Sequence, residues 1–311
     1  AFPGSHPLFA GPLGYNGSKA GMELISEADV VLCLGTRLNP FSTLPGYGME
    51  YWPADAKIIQ VDINPDRIGL TKKVSVGIIA DAAKAANGIL DRLSESAGDD
   101  GRAERKAKIA EKKSRWAQQL SSMDHEDDDP GTTWNQRARA DKPDWMSPRM
   151  AWRAIQSALP TEAIISSDIG NNCAIGNAYP AFEEGRKYLA PGLFGPCGYG
   201  LPAIVGAKIG QPNVPVVGFA GDGAFGIAVN ELTAIGRGEW PAVTQIVFRN
   251  YQWGAEKRNS TLWFDDNFVG TELDTQVSYA GIAQACGLKG VVARTMDELT
   301  EALHQAVKDQ M

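Results

Sequence analysis

Histidine is scarce. There are three, His6, His125 and His304, and none lies near a glycine-rich turn. That argues against a histidine-based triad or zinc site, and it leaves proton transfer to carboxylates or to a bound cofactor. Cysteine is sparse too. Cys33, Cys173, Cys197 and Cys286 stand far apart with no C-x-x-C pair, so a zinc site or disulfide framework is not expected and reduced thiols in the cytoplasm are. No apolar run reaches the roughly 18 residues of a membrane-spanning helix, and no signal peptide is visible. Basic excess is missing as well. Lysine and arginine total 30 against 37 acidic residues, a net charge of −7, so neither nucleic acid nor an anionic membrane is an expected partner.

What is present suits a soluble globular protein: 43% apolar and 22% charged residues. A chain of 311 residues predicts about two domains. Both ends look cut. The chain starts in a Gly/Pro-rich stretch, Ala1 to Pro12, and stops in an amphipathic helix, Asp297 to Met311, without a stop signal. The expectation is a fragment of a longer protein.

Strands alternate with helices, which predicts parallel α/β sheets. Ser18 to Ala28 is helical, Ala28 to Gly35 and Lys57 to Ile63 are buried strands, Val76 to Ile79 is a short strand, and Ala82 to Ser94 is helical. Asp99 to Leu120 is rich in Lys, Arg and Glu and predicts an exposed helix. The acidic run Asp124 to Pro130 lacks the glycine and closing glutamate of a calcium loop, so 99–145 is assigned to a charged helix and solvated linker. A second α/β unit opens at Ser147-Pro148-Arg149, with Ser147 as N-cap and Pro148 in the first helical position. Its strands are Ala163 to Ser167, Val214 to Ala220, Ala242 to Phe248 and Cys286 to Ala293.

Gly221-Asp222-Gly223-Ala224-Phe225-Gly226 matches G-x-G-x-x-G between a strand and a helix, which by itself suggests a dinucleotide site and a nicotinamide-dependent oxidoreductase. Asp222 contradicts that reading. A carboxylate beside a diphosphate, at about 4 Å, is repelled by several kcal/mol at intermediate dielectric. A cation between them removes the conflict. Asn250 arrives at the end of the next strand candidate, at the same carboxyl edge of the sheet, and offers a second hard oxygen. The helix entered at Ala224 aims its N-terminus at the same diphosphate.

Gly-Asp-Gly followed by Asn250 resembles the cofactor signature of thiamine-diphosphate enzymes. The resemblance implies that Asp222, Asn250 and the Gln252 carbonyl hold Mg2+. It further implies cofactor contacts from Asp168, Gly170, Asn171, Asn172, Cys197, Gly198, Gly221, Gly223 and Ala224. Gly11 to Gly17, Gly35-Thr36-Arg37 and Gln60 to Asn64 resemble the middle domain of acetolactate-synthase-like enzymes. The stretches Asn250 to Asn259 and Thr261 to Phe268, with the linker Met123 to Trp134, resemble most closely the branch acting on sulfoacetaldehyde. The implied architecture is α/β, with two doubly wound parallel-sheet domains. These are a partial middle domain (1–98) and a diphosphate-binding domain (146–311), truncated at its end. A pyrimidine-binding domain, which carries the Glu that activates the cofactor, is absent.

The implied reaction joins sulfoacetaldehyde with phosphate to give acetyl phosphate and sulfite, in taurine and alkanesulfonate degradation. The implied assembly is a homodimer or homotetramer in the cytoplasm. The chain alone is expected to be inactive. Both substrates are anions, so Arg249, Lys257 and Arg258 are candidates to bind them, or else form surface ion pairs, for instance with Glu256. Glu256 is a candidate catalytic acid facing the cofactor, or an exposed helix acid. Other readings stay open: Asp222 and Asp168 as helix caps or loop acids, Cys197 as a buried filler, and Gly35-Thr36-Arg37 as a plain turn rather than a nucleotide site. Acetolactate synthase or another 2-oxoacid lyase, the nicotinamide enzyme, and a non-catalytic binding piece are the alternative functions.

Overall fold

The computed structural model describes residues 2–14, 17–94, 101–124, 146–185 and 187–311. The acidic run after Asp124, the rest of the linker to residue 145, residues 99–100, Tyr15 and Asn16 lie outside them. The chain divides into two compact units, His6–Leu120 and Ala1–Ser5 with Ser121–Met311.

The first unit holds α1 (Lys19–Ser26), β1 (Val30–Leu34), β2 (Lys57–Asp62), β3 (Val76–Ile79), α2 (Ala82–Ser94) and most of α3 (Arg102–Asp124). Its sheet is parallel, in the order β1-β2-β3, with Val31 opposite Ile58 and Ile59 opposite Val76. The central strand buries Ile58, Gln60, Val61 and Asp62, as a strand covered on both faces does. Gln60 is satisfied by the turns around it. Its amide donates to the carbonyls of Thr36 (3.0 Å) and Arg67 (3.1 Å), and its oxygen accepts from Gly69 (2.8 Å). Ser18 caps α1 through the Gly21 N–H at 3.3 Å. The charged helix α3 is not wholly exposed. Lys112, Trp116, Leu120 and Met123 are buried, one narrow stripe at three- and four-residue spacing, and Lys112 pairs with Glu27 at 2.8 Å.

The second unit holds α4 (Pro148–Ala158), β4 (Ile164–Ser167), α5 (Asn171–Gly176), β5 (Tyr188–Leu189), α6 (Gly200–Gly210), β6 (Val216–Gly221), α7 (Asp222–Ala228), α8 (Leu232–Ile235), β7 (Thr244–Phe248), α9 (Gly254–Trp263), α10 (Tyr279–Ala285) and α11 (Met296–Lys308). The sheet is parallel throughout, in the order β5-β4-β6-β7. The chain changes direction across the sheet between β4 and β6, which opens a crevice at their carboxyl ends. The core packs β6 (Val216, Ala220) and Ile164 against Leu201 and Ile204 of α6 and Ala224, Phe225 and Ala228 of α7. Trp152 of α4 meets Phe219 edge-on at 4.1 Å. At the opposite edge of the sheet, buried Lys208 donates to the carbonyls of Val214 (2.9 Å) and Gln310 (3.1 Å). The Gln310 side chain pairs in turn with the Val216 N–H (2.8 Å) and carbonyl (3.1 Å).

One expected strand is corrected. Residues 286–293 form no strand among the described residues. Gly287 turns the chain at φ +80°. Gly290 then lies so close to α10 that a Cβ there would stand 2.1 Å from the Ala280 carbonyl oxygen. Gln284 holds the Gly290 carbonyl at 2.9 Å. The segment is therefore fastened to its own helix rather than to the ladder of β7.

Candidate active site

The predicted residues converge at the carboxyl ends of β4, β6 and β7. Asp222 follows the last residue of β6 and is buried. Its Oδ2 accepts from the Tyr251 N–H at 2.7 Å and its Oδ1 from the Gly223 N–H at 3.1 Å. Burial pushes the carboxyl up from its ordinary value, and these N–H groups partly offset the rise.

Asn250 stands at the end of β7, which pairs with β6. Its side-chain oxygen faces two other oxygens, Asp222 Oδ1 at 3.1 Å and the Gln252 carbonyl at 2.9 Å. Turned over, the amide would donate a hydrogen bond to both. In the orientation that presents the oxygen, three oxygens meet and a cation between them would stabilise the cluster; in the turned orientation the amide itself bridges Asp222 and Gln252. Neighbouring ligands of an octahedral Mg2+ lie about 3.0 Å apart, since each bond is about 2.1 Å. The observed spacings match that edge, so the donor set fits the ion. Among the described residues no group of three His, Cys, Asp or Glu offers a different metal site.

Glycines keep the surrounding backbone close. A Cβ on Gly223 would fall 2.7–2.9 Å from the Trp253 ring. One on Gly254 would meet the Asn250 and Asn171 amide nitrogens at 2.9 and 3.2 Å, which places those two side chains side by side. Gly170 opens α5 at φ +134°. Asn172 is buried with its oxygen toward Gly221, and its Nδ2 has no partner among the described residues. An orphaned buried donor beside the glycine-rich turn fits an anionic ligand atom.

Gly170, Asn171, Asn172, Cys197, Gly221, Asp222, Gly223, Ala224, Asn250, Gln252 and Glu256 all line one cleft of about 1990 Å³. Asp168 and Gly198 stand behind its wall. Asp168 Oδ1 accepts from the N–H groups of Ile169 (2.8 Å) and Gly198 (3.0 Å), and Oδ2 from Gly200 (2.8 Å). That carboxylate fastens the Gly195–Gly200 loop to the end of β4. Cys197 rides on this loop. Burial, then the charges of Asp168 and Glu256, push its thiol up. Glu256 is exposed in the first turn of α9 and also borders a second cavity of about 480 Å³ with Cys197, Trp253, Asn259 and Ser260.

The three candidate anion binders differ. Lys257 pairs with Glu272 at 2.5 Å and lies over the Phe268 ring. The Arg249 guanidinium sits over Tyr251 and Tyr279 and donates to the Thr275 carbonyl at 3.1 Å. Arg258 is exposed. The sequence reading missed Tyr251, Trp253 and Tyr279. Tyr279 donates its hydroxyl to the Asp222 carbonyl at 3.0 Å. Tyr251 and Trp253, one and three residues after Asn250, stood near enough to the motif for sequence to suggest them; Tyr279 did not.

Comparison with known proteins fits this geometry. Two family models match: the C-terminal TPP binding domain of thiamine pyrophosphate enzymes over residues 168–311, and their central domain over residues 1–89. The chain belongs to the thiamine pyrophosphate enzymes. Sulfoacetaldehyde acetyltransferase of Roseovarius nubinhibens is 84% identical over 100% of this chain and 51% of its own length. The protein of that name in Rhodobacter capsulatus is 80% identical over 100% of the chain and 52% of its own. The probable acetolactate synthase large subunit of Methanocaldococcus jannaschii is 27% identical over 98% of the chain and 49% of its own. The chain thus spans about half the length of the curated relatives it matches.

Proposed function

We propose that this chain is part of a thiamine-diphosphate- and Mg2+-dependent acyltransferase that converts sulfoacetaldehyde and phosphate to acetyl phosphate and sulfite. One observation carries the reading: the Asp222 carboxylate, the Asn250 side-chain amide and the Gln252 carbonyl meet at cation-ligand spacing on two adjacent strand ends. Names of the relatives above support the substrate. The same cluster disfavours a nicotinamide enzyme, whose pyrophosphate needs no cation at the turn.

In this reading Asp222, Asn250 and the Gln252 carbonyl hold Mg2+. Asn171, Asn172 and the backbone of Gly221 to Ala224 bind the diphosphate. Asp168 acts behind them by fixing Gly198 and Gly200, so that Cys197 faces the cofactor. When bound, thiamine diphosphate supplies the carbon nucleophile for the aldehyde. Glu256 stands at the mouth, where a carboxylate can take or return a proton. Arg249, Lys257 and Arg258 are the cations nearest to Asn250 in sequence. The complete protein is a cytoplasmic homodimer or homotetramer in taurine and alkanesulfonate degradation. No helix among the described residues is long and apolar enough to cross a membrane.

A thermal shift on the intact protein tests the cofactor. Mg2+ with thiamine diphosphate raises Tm and a nicotinamide cofactor does not; the reverse result overturns the reading. Sulfite release from sulfoacetaldehyde and phosphate, against turnover of pyruvate, tests the substrate.

A further inference from the structure

We propose that Arg249 is a positioning residue that shapes the metal cage by clamping the turn after β7, rather than a receptor for substrate anions; this rests on the metal reading above. The turn carries an unusual backbone. Tyr251 has φ +61°, in the left-handed region, which a bulky aromatic residue enters only when its surroundings hold it there. That conformation reverses the chain between the two ligands it separates. The Asn250 side chain and the Gln252 carbonyl are thereby brought to 2.9 Å on the same side, next to Asp222.

The surroundings that hold Tyr251 meet at one guanidinium. Arg249 lies 4.4 Å from the centre of the Tyr251 ring and 5.7 Å from that of Tyr279. Its Nη2 donates to the Thr275 carbonyl at 3.1 Å. Those contacts reach three segments: the turn itself, the stretch after Glu272, and α10. Both rings under the guanidinium belong to residues that touch Asp222. Tyr251 does so through its N–H at 2.7 Å, and Tyr279 through its hydroxyl at 3.0 Å. The Tyr251 carbonyl is fixed as well, by the Leu273 N–H at 2.9 Å. A planar cation stacked on an aromatic face and bonded at its edge is a rigid brace, and lysine cannot reproduce it.

The test uses the intact protein with Arg249→Lys, Arg249→Ala and Tyr279→Phe. Two quantities are read: the Mg2+ concentration that gives half-maximal thermal stabilisation with thiamine diphosphate, and KM for each anion at saturating metal. Both Arg249 variants raise the metal requirement on the order of tenfold, the scale of one left-handed residue's penalty. Tyr279→Phe, which removes one hydroxyl and keeps the ring, raises it a few-fold. KM for sulfoacetaldehyde and for phosphate changes by less than about twofold, because no substrate contact is lost. Tyr251→Gly in the Arg249→Ala background recovers metal affinity, since glycine takes this φ without strain. An unchanged metal requirement in the Lys variant overturns the proposal. So does a rise in KM for one anion at saturating metal. Failure of the unaltered protein to respond to Mg2+ and thiamine diphosphate sinks the metal reading itself, which separates the two. The Lys and Tyr279→Phe variants keep the test decisive if the Ala variant does not fold.

Discussion

At the scale of single residues, the site depends as much on missing side chains as on present ones. Gly223 has no room for a Cβ against the Trp253 ring, and a ring plate cannot swing aside as a flexible chain end can. Gly223→Ala is therefore expected to cost about 1–3 kcal/mol of stability through overpacking and to weaken binding of thiamine diphosphate. Urea unfolding and a cofactor titration check both, and Trp253→Leu in the same background restores stability. An unchanged unfolding midpoint in the single variant removes the packing argument. Asp222 and Asn250 were legible in the sequence because a carboxylate in a phosphate-type turn is a contradiction that a cation resolves. The actual occupation of Asp168 was not. Its partners, the N–H groups of Gly198 and Gly200, belong to a loop that folding alone brings to it. Arg249 misleads for a similar reason. Its charge suggested an anion, while its surroundings are two rings, one of them from α10.

Elements were easier to foresee than partners. Ser147 and Pro148 start α4 as expected, with the Ser147 hydroxyl accepting from the Arg149 N–H at 3.2 Å, because caps are local chemistry. The segment 286–293 looked like a strand from its apolar residues, but pairing is decided by what lies alongside, and Gly290 packs on α10 instead. Short α5 shows how an element can carry a titration. Burial pushes the Cys173 thiol above the ordinary value of 9.0, more than its hydrogen bonds with Ser167 and Tyr188 lower it. Burial likewise raises the Tyr188 hydroxyl. The unfolded thiol ionises first, so this contribution is fully present below pH 9.0 and is lost as pH climbs to the raised folded value. Denaturation under reducing conditions is expected to show stability falling above about pH 9, with a shallower fall in Cys173→Ala. Equal slopes in the two proteins contradict the assignment to this thiol.

At the scale of the whole molecule, composition and placement point to a division of labour. A chain with net charge −7 must gather its cations locally to bind two anions, and with Arg249 committed to the turn the remaining candidates, Lys257 and Arg258, follow the metal ligand Asn250 in α9. Every predicted site residue lies in the second unit, and the first contributes none. Among the described residues the cleft is lined by the acids Asp222, Glu256, Glu298, Glu301 and Asp309; Glu256 is the one six residues after Asn250, and Asp222 is engaged by two N–H groups. These residues supply the metal end of a cofactor site, and the chain spans about half the length of the curated relatives it matches. The 311-residue chain on its own is therefore expected to show Mg2+-dependent stabilisation by thiamine diphosphate but no sulfite release from sulfoacetaldehyde and phosphate. Calorimetric binding and a sulfite assay on the same preparation separate the two. Turnover at the rate of the intact protein would mean that these residues already hold the whole catalytic machinery, with Glu256 as the acid, and Glu256→Gln would then abolish it.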